Sequence, residues 1–298
     1  MAESDNQFLK DVNGDGKADS VMYYSNDGSW YVSLSSGLGF QSYTKWLTGH
    51  GVGSSTQFLE DVNGDGMSDA IVFFSDQGSW YVSLSNGVSF GAYRKWAEGH
   101  GKDTHSQFIA DVNGDDKADS IAFDISLGSW DVALSDGHAF RQPIRWCDGH
   151  GVGSNNQFIA DVNGDGRADA IVYFEGNGSW YISRSEGNSF GGYPKWLEGH
   201  GVGSQTQFIA DVNGDSMSDA IVYFEGNGTW NASLSNGIYF TSYSKWVDGH
   251  GVMSAKQLLG DVNGKLDAGV YFPMKGSWYL ALSEGSHFKA YSRWTGIP

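Results

Sequence analysis

The sequence contains one cysteine, Cys147, and four prolines among 298 residues, against 43 glycines. A lone thiol excludes an internal disulfide framework, so packing and bound ions must hold the chain together. Basic residues are also scarce: 18 Lys and Arg stand against 35 Asp and Glu, for a formal charge of −17. Charge of that sign repels phosphate, which argues against nucleic acid and anionic lipid as partners. No apolar run approaches the ~18 residues of a membrane span, so no membrane insertion is expected. The segment Met1 to Asn6 lacks the basic and apolar regions of a signal peptide. The chain therefore reads as soluble, and secretion into a calcium-rich exterior would need a route without such a peptide. Helical periodicity is missing too, because the apolar period stays near two and turn residues recur roughly every ten positions.

What the sequence does have is a repeat. Asp-Val-Asn-Gly begins at Asp11, Asp61, Asp111, Asp161, Asp211 and Asp261, a constant step of 50. Six units follow, approximately residues 1–50, 51–100, 101–150, 151–200, 201–250 and 251–298, and together they read as one domain, 1–298. Within a unit, Gln57 to Val62, Ala70 to Phe74, Ser79 to Ser85 and Phe90 to Trp96 are apolar or alternating stretches separated by turns. Four-stranded units that cannot bury both faces alone pack radially, which predicts an all-β fold: a six-bladed β-propeller of four-stranded blades with calcium-binding loops.

The loops carry the most specific spacing. Oxygen side chains stand at positions one, three, five and nine, with the backbone carbonyl of position seven available. The five sets are Asp11, Asn13, Asp15, Lys17 and Asp19; Asp61, Asn63, Asp65, Met67 and Asp69; Asp111, Asn113, Asp115, Lys117 and Asp119; Asp161, Asn163, Asp165, Arg167 and Asp169; and Asp211, Asn213, Asp215, Met217 and Asp219. Such a set wraps a hard cation, and about five structural Ca2+ ions are expected. The competing reading is a set of Asx turns, in which Asp and Asn bond their own backbone. Position six is Gly in three loops but Asp116 and Ser216 in the third and fifth, where the sharp turn suits Ser least and predicts a weaker fifth site. The sixth loop is two residues short and places Lys265 where a carboxylate belongs, so no ion is expected there. An EF-hand is excluded, because position twelve falls on Met22, Val72, Ala122, Val172 and Val222.

Loops of the form Asp-Val-Asn-Gly-Asp-Gly-x-Ala-Asp before a strand resemble FG-GAP/VCBS propeller repeats. The added Gly-Ser-Trp-Tyr-Val-Ser-Leu-Ser strand is most similar to the Psathyrella velutina lectin family. That resemblance implies a calcium-containing propeller that binds N-acetylglucosamine-type sugars, although that lectin has seven blades and this chain has six units.

Two tryptophans recur per unit. Trp30, Trp80, Trp130, Trp180, Trp230 and Trp278 alternate with Val and Leu and read as core. The second set, with Gly-His-Gly a few residues on, reads as a candidate sugar site at the unit junctions: Trp46 and His50; Trp96, Glu98 and His100; Trp146, Asp148 and His150; Trp196, Glu198 and His200; Trp246, Asp248 and His250. An aromatic face, an acid and an imidazole would serve the C–H surface and hydroxyls of a pyranose. The plain alternative is an imidazole bonded to backbone and a Trp filling the gap between blades. Residues repeated around a ring do not supply separated acid and base roles, so the chain is read as no enzyme. A multivalent lectin for glycans or glycoproteins is the leading expectation, and a protein-binding adhesion or toxin-receptor module the alternative. For that alternative the third unit is distinctive, with Lys102, Asp103, His105, Asp116, Asp124, Asp131, His138 and Arg141 in place of small or apolar residues.

Overall fold

In the computed structural model, residues 5–37, 39–261, 265–272, 274 and 277–294 are described, Trp294 by its backbone alone. The first blade sets the pattern: β1 (Asn6–Lys10), β2 (Asp19–Tyr24), β3 (Ser29–Ser33) and β4 (Thr44–Leu47) pair antiparallel in sequence order. Five further four-stranded sheets repeat it, and there is no α-helix among the described residues. The fold is a six-bladed β-propeller. The chain divides between Asp148 and Gly149 into two compact units, each holding three blades.

The alternation in the third strand explains its burial. Trp180 and Ile182 are fully enclosed while Tyr181 is half-buried. The second strand, Asp169–Phe174, is buried on both faces over its first five residues, as its unbroken apolar run predicts. The fourth strand is aimed by a β-bulge. Trp180 pairs with Leu197 and Tyr181 with Lys195, so Trp196 is the extra residue and turns inward.

Within each unit the core lies between successive blades. Trp30, Tyr23, Val21 and Trp46 of the first repeat join Leu59, Ala70, Val72 and Phe90 of the second in one buried cluster. Trp180, Tyr173 and Trp196 of the fourth join Ala220, Val222 and Phe240 of the fifth. Removing a fully buried indole from such a cluster leaves a cavity that neighbouring blades cannot close. Trp180→Ala should therefore cost about 3–5 kcal/mol in urea unfolding. A loss below about 1 kcal/mol would place the core elsewhere.

Candidate functional site: the blade junction and the aspartate loop

The Gly-His-Gly turns at His50, His100, His200 and His250 are held by their own blades and reach into the next. Gly199 N donates to Asn177 O, and His200 N to Gly178 O, at 3.0 and 3.2 Å. Gly178 has φ +63° and a Cβ there would meet the backbone of Gly199 and His200 at 2.8 Å, so the close approach requires glycine. Gly201, at φ +89°, is similarly confined by Val222 and the Tyr173 hydroxyl. Tyr173 Oη donates to Gly201 O at 2.7 Å, and Trp180 Nε1 to His200 O at 3.1 Å.

The imidazole then crosses to the following blade. His200 Nε2 lies 3.0 Å from Ala220 O, and His50, His100, His150 and His250 make the same bond to Ala70, Ser120, Ala170 and Ala268 at 3.0–3.2 Å. A carbonyl oxygen can only accept, so Nε2 carries the proton and the ring is the neutral Nε2–H tautomer. All five rings are 0–2 % exposed. Burial lowers the His50, His150, His200 and His250 pKa values to about 4, the carbonyl bond opposing this only in part.

The bulged tryptophans are likewise enclosed. Trp46, Trp96, Trp146, Trp196 and Trp246 are only 4–8 % exposed, and ring centroids of Trp46, Trp96, Trp196 and Trp246 stand 5.1–5.4 Å from Phe90, Phe140, Phe240 and Phe288. An indole buried edge-on against phenylalanine has no free face for a sugar. The acids lie apart from it on the surface, where Glu98, Asp148, Glu198 and Asp248 pair with Lys95, Arg145, Lys195 and Lys245. The expected Trp, acid and His triplet is therefore not assembled as a binding face. The cause is the bulge, which sends Trp to the core while its flanking Lys stays outside.

What does sit over the histidine is a tyrosine. Tyr93, Tyr193, Tyr243 and Tyr291, each 45–49 % exposed, stack on His50, His150, His200 and His250 with centroids 4.9–5.0 Å apart. Two of these pairs floor equivalent cavities. One of about 500 Å³ is lined by His150, Val152, Phe174, Tyr181 and Tyr193 with Asn155 and Asn177 at its edge. Another of about 310 Å³ is lined by His50, Val52, Phe74, Tyr81, Tyr93 and Gln77. Phe174 meets Tyr181 edge-on at 5.7 Å, as Phe74 meets Tyr81. Asn155 Oδ1 accepts from Glu175 N and Asn177 Oδ1 from Ser179 N, which leaves their NH2 groups as donors. Sequence reading missed these tyrosines, although Tyr43, Tyr93, Tyr193 and Tyr243 recur three residues before four of the five bulged Trp residues, Pro143 standing before the fifth.

The aspartate loops share one conformation. Position six has positive φ in all five: +79°, +83° and +80° at Gly16, Gly66 and Gly166, and +62° and +68° at Asp116 and Ser216. Asp61 Oδ1 accepts from Gly64 N and Oδ2 from Gly66 N, both at 2.7 Å, while Asn63 Oδ1 accepts from Asp65 N and Asp65 Oδ1 from Met67 N. These are nested Asx turns. Asp69, fully buried, spends Oδ2 on Val62 N and Oδ1 on Ser85 N, and Ser85 Oγ donates to Val12 O of the preceding loop at 2.6 Å. Asp19, Asp119, Asp169 and Asp219 make the same paired bonds. Asp267 keeps its bond to Ser283 N in the shortened sixth repeat, so position nine clamps loop to sheet independently of the full loop. The ion-free sixth loop expected from sequence falls partly on residues 262–264, outside the described residues.

Among the described residues no three His, Cys, Asp or Glu side chains converge as a preformed metal cage. The donors nevertheless fit a hard cation by chemistry. Asp61, Asn63 and Asp65 crowd oxygens at one exposed turn, and their charge helps burial raise Asp69 to about 7. In three loops a cation already stands by position five: Lys17, Lys117 and Arg167 pair with Asp15, Asp115 and Asp165. Met67 and Met217 offer the other two loops no such charge.

A profile of FG-GAP-like repeats matches residues 11–72 and 161–222. Those two stretches are FG-GAP-like repeats. A search of curated proteins found no match. Among solved structures, a lectin of Agrocybe aegerita described for specific recognition of non-reducing terminal N-acetylglucosamine superposes with TM-score 0.72 at 22% identity, covering 98% of this chain and 80% of the lectin. The Photorhabdus luminescens Tc holotoxin pore superposes with TM-score 0.63 at 16% identity, over 96% of this chain but only 14% of the toxin chain. At these identities the likeness is one of fold, and it supports the propeller.

The buried imidazoles give a pH prediction with a definite sign. Their folded pKa lies below the ordinary 6.5, so the neutral form favours the folded state above that value, and this contribution is lost as pH falls from about 6.5 to 4. The buried Asp69, Asp119, Asp169 and Asp219, raised to about 7, work in the opposite direction over the same window. A melting curve would therefore mix the two. Imidazole 15N shifts at pH 5 separate them: neutral Nε2–H signals from His50, His150, His200 and His250 are expected, and imidazolium shifts there would rule out the buried arrangement.

Proposed function

We propose that this protein is a multivalent carbohydrate-binding propeller, a lectin that takes a terminal N-acetylglucosamine-type sugar in the Tyr-over-His pockets and holds structural calcium in five loops. The observation that carries the reading is the repeated cavity. Volumes of about 500 and 310 Å³ fall in the ~300–1,000 Å³ range of small-molecule sites, whose walls are mostly apolar with a few polar groups. Tyr181, Tyr193 and Phe174 suit the C–H face of a pyranose and the methyl of an acetamido group. The amides of Asn155 and Asn177 suit its hydroxyls and carbonyl. No Asp or Glu lines either cavity, so neither presents a carboxylate as general acid or base. The fold shared with the Agrocybe aegerita lectin supports the ligand class. Glycans or glycoproteins are the partners this implies, and several weak pockets on one scaffold gain strength through avidity.

For calcium, Asp61, Asn63 and Asp65 with the carbonyl of Met67 would hold the ion, and likewise Asp11, Asn13 and Asp15, Asp111, Asn113 and Asp115, Asp161, Asn163 and Asp165, and Asp211, Asn213 and Asp215 in the other loops. A bound divalent cation supplies charge neutralisation and cross-links the turn. The position-nine aspartates act as backbone clamps beside it.

A glycan array tests the sugar reading: calcium-loaded protein should retain terminal N-acetylglucosamine structures, and the Tyr93→Ala/Tyr193→Ala variant should bind at least ~10-fold more weakly through lost stacking and avidity. Retention of no glycan would sink this reading in favour of a protein-docking module. Calcium has a separate test, since an ion that binds only the folded form stabilises it by about 2.7 kcal/mol per site at 100-fold excess over Kd. Excess EDTA should lower Tm by several degrees, and an unchanged Tm refutes the calcium assignment.

A further inference from the structure

Five Gly-His-Gly turns cross to a following blade, yet the cavity-lining residues are not repeated at all five. At the His150 pocket the wall consists of Val152 after the turn, Phe174 closing the second strand, Tyr181 in the third strand and Tyr193 over the histidine. At the His50 pocket the same four places hold Val52, Phe74, Tyr81 and Tyr93. The His100 junction has Lys102, Asp124, Asp131 and Pro143 in those positions. All four apolar or aromatic groups are gone, and three are replaced by charges.

The two carboxylates make local bonds of their own. Arg145 donates from Nε to Asp131 Oδ1 at 2.8 Å and from Nη2 to Asp131 Oδ2 at 3.3 Å, while Nη1 bonds Asp148 at 2.7 Å. Asp124 Oδ1 accepts from Ser126 N and Oγ at 2.8 and 2.6 Å. In the second blade the equivalents of Asp131 and Arg145 are Tyr81 and Lys95, with the ammonium 5.6 Å from the ring centre. An aromatic wall topped by a cation has thus become a bidentate ion pair. His100 itself remains buried on Ser120 O and Trp80 Nε1 still donates to His100 O, so the junction keeps its architecture and loses only its binding wall. At the other junctions Tyr243 and Tyr291 still cover His200 and His250. Phe224 stands at the second-strand position of the first of these, while Phe272 and Tyr279 meet at 5.5 Å in the last.

We propose that four of the five junctions bind sugar, that the His100 junction is silent, and that the residues at positions 102, 124, 131 and 143 decide this. The inference rests on the carbohydrate reading above. Between the competent sites, Asn231 stands where Tyr81, Tyr181 and Tyr279 stand, which makes the His200 site the most polar of the four.

Native mass spectrometry in calcium, with the methyl β-glycoside of N-acetylglucosamine as probe, counts the bound copies. Wild type should saturate at four. The rebuilt variant Lys102→Val/Asp124→Phe/Asp131→Tyr/Pro143→Tyr should saturate at five. Tyr193→Ala, at an exposed position, should saturate at three and serves if the rebuilt chain does not fold. Five copies on wild type, or four on Tyr193→Ala or on a folded rebuilt variant, would overturn the assignment while leaving the carbohydrate reading intact. No bound copy on wild type removes both.

Discussion

The bond from a buried imidazole to the next blade's backbone sets the conditions for most of the structure. A neutral histidine donating to Ala70, Ser120, Ala220 or Ala268 fixes where one four-stranded sheet meets another within a unit. The same turn accepts an indole N–H on its carbonyl, as from Trp180 to His200, so core tryptophan and junction turn form one assembly. Glycines on either side are a consequence: the turn is wedged so closely between two backbones that a Cβ at Gly178 or Gly201 would collide. Each such bond is worth only about 1 kcal/mol net, but losing one would strand a desolvated polar group at a larger cost. Repetition of the motif turns a modest interaction into a constraint on the whole fold.

The opposite end of the blade uses the same physics with carboxylates. Asp69 takes two backbone N–H groups in the interior, and Ser85, one of the two residues so held, bonds the preceding loop. Asp267 keeps its Ser283 bond although its loop is shortened, which separates the clamp from whatever the remaining loop oxygens hold. Position nine is therefore under a packing constraint as well as a chemical one, and its recurrence is weaker testimony for metal than the recurrence of Asp61, Asn63 and Asp65.

The blade architecture was legible because alternation in the Ser79 to Ser83 segment and the apolar run of Asp69–Phe74 are local properties that survive into the fold. The junction site was less so. Lys195-Trp196 reads as an exposed pair in a strand, and only the bulge at Trp180/Tyr181 reveals that Trp196 turns inward. A two-against-one pairing is decided between strands and leaves no mark on a single segment. The sequence step places the histidines at the ends of repeats, but their neighbours in space come from the following repeat: Tyr193 covers His150 from 43 positions downstream. Contacts at that separation are invisible to any reading that takes one unit at a time.

That displacement also explains why the distinctive residues of the third repeat do not read as one site along the sequence. Lys102, Asp124 and Asp131 lie far apart along the chain, and each alone is an ordinary surface substitution. Aligned on the His50 and His150 cavities they fall on one wall, together with Pro143, which no charge count would have flagged. Because each pocket borrows its turn from one repeat and its wall from the next, a wall can be lost without disturbing the His–carbonyl bond beneath it. Scaffold and pocket wall are therefore separable: an imidazole bonded to the next strand's carbonyl is tied to the packing of the sheets, whereas the residues over it are not. The variation among Tyr181, Asp131 and Asn231, set against the invariance of the five Gly-His-Gly turns in this chain, follows from that division.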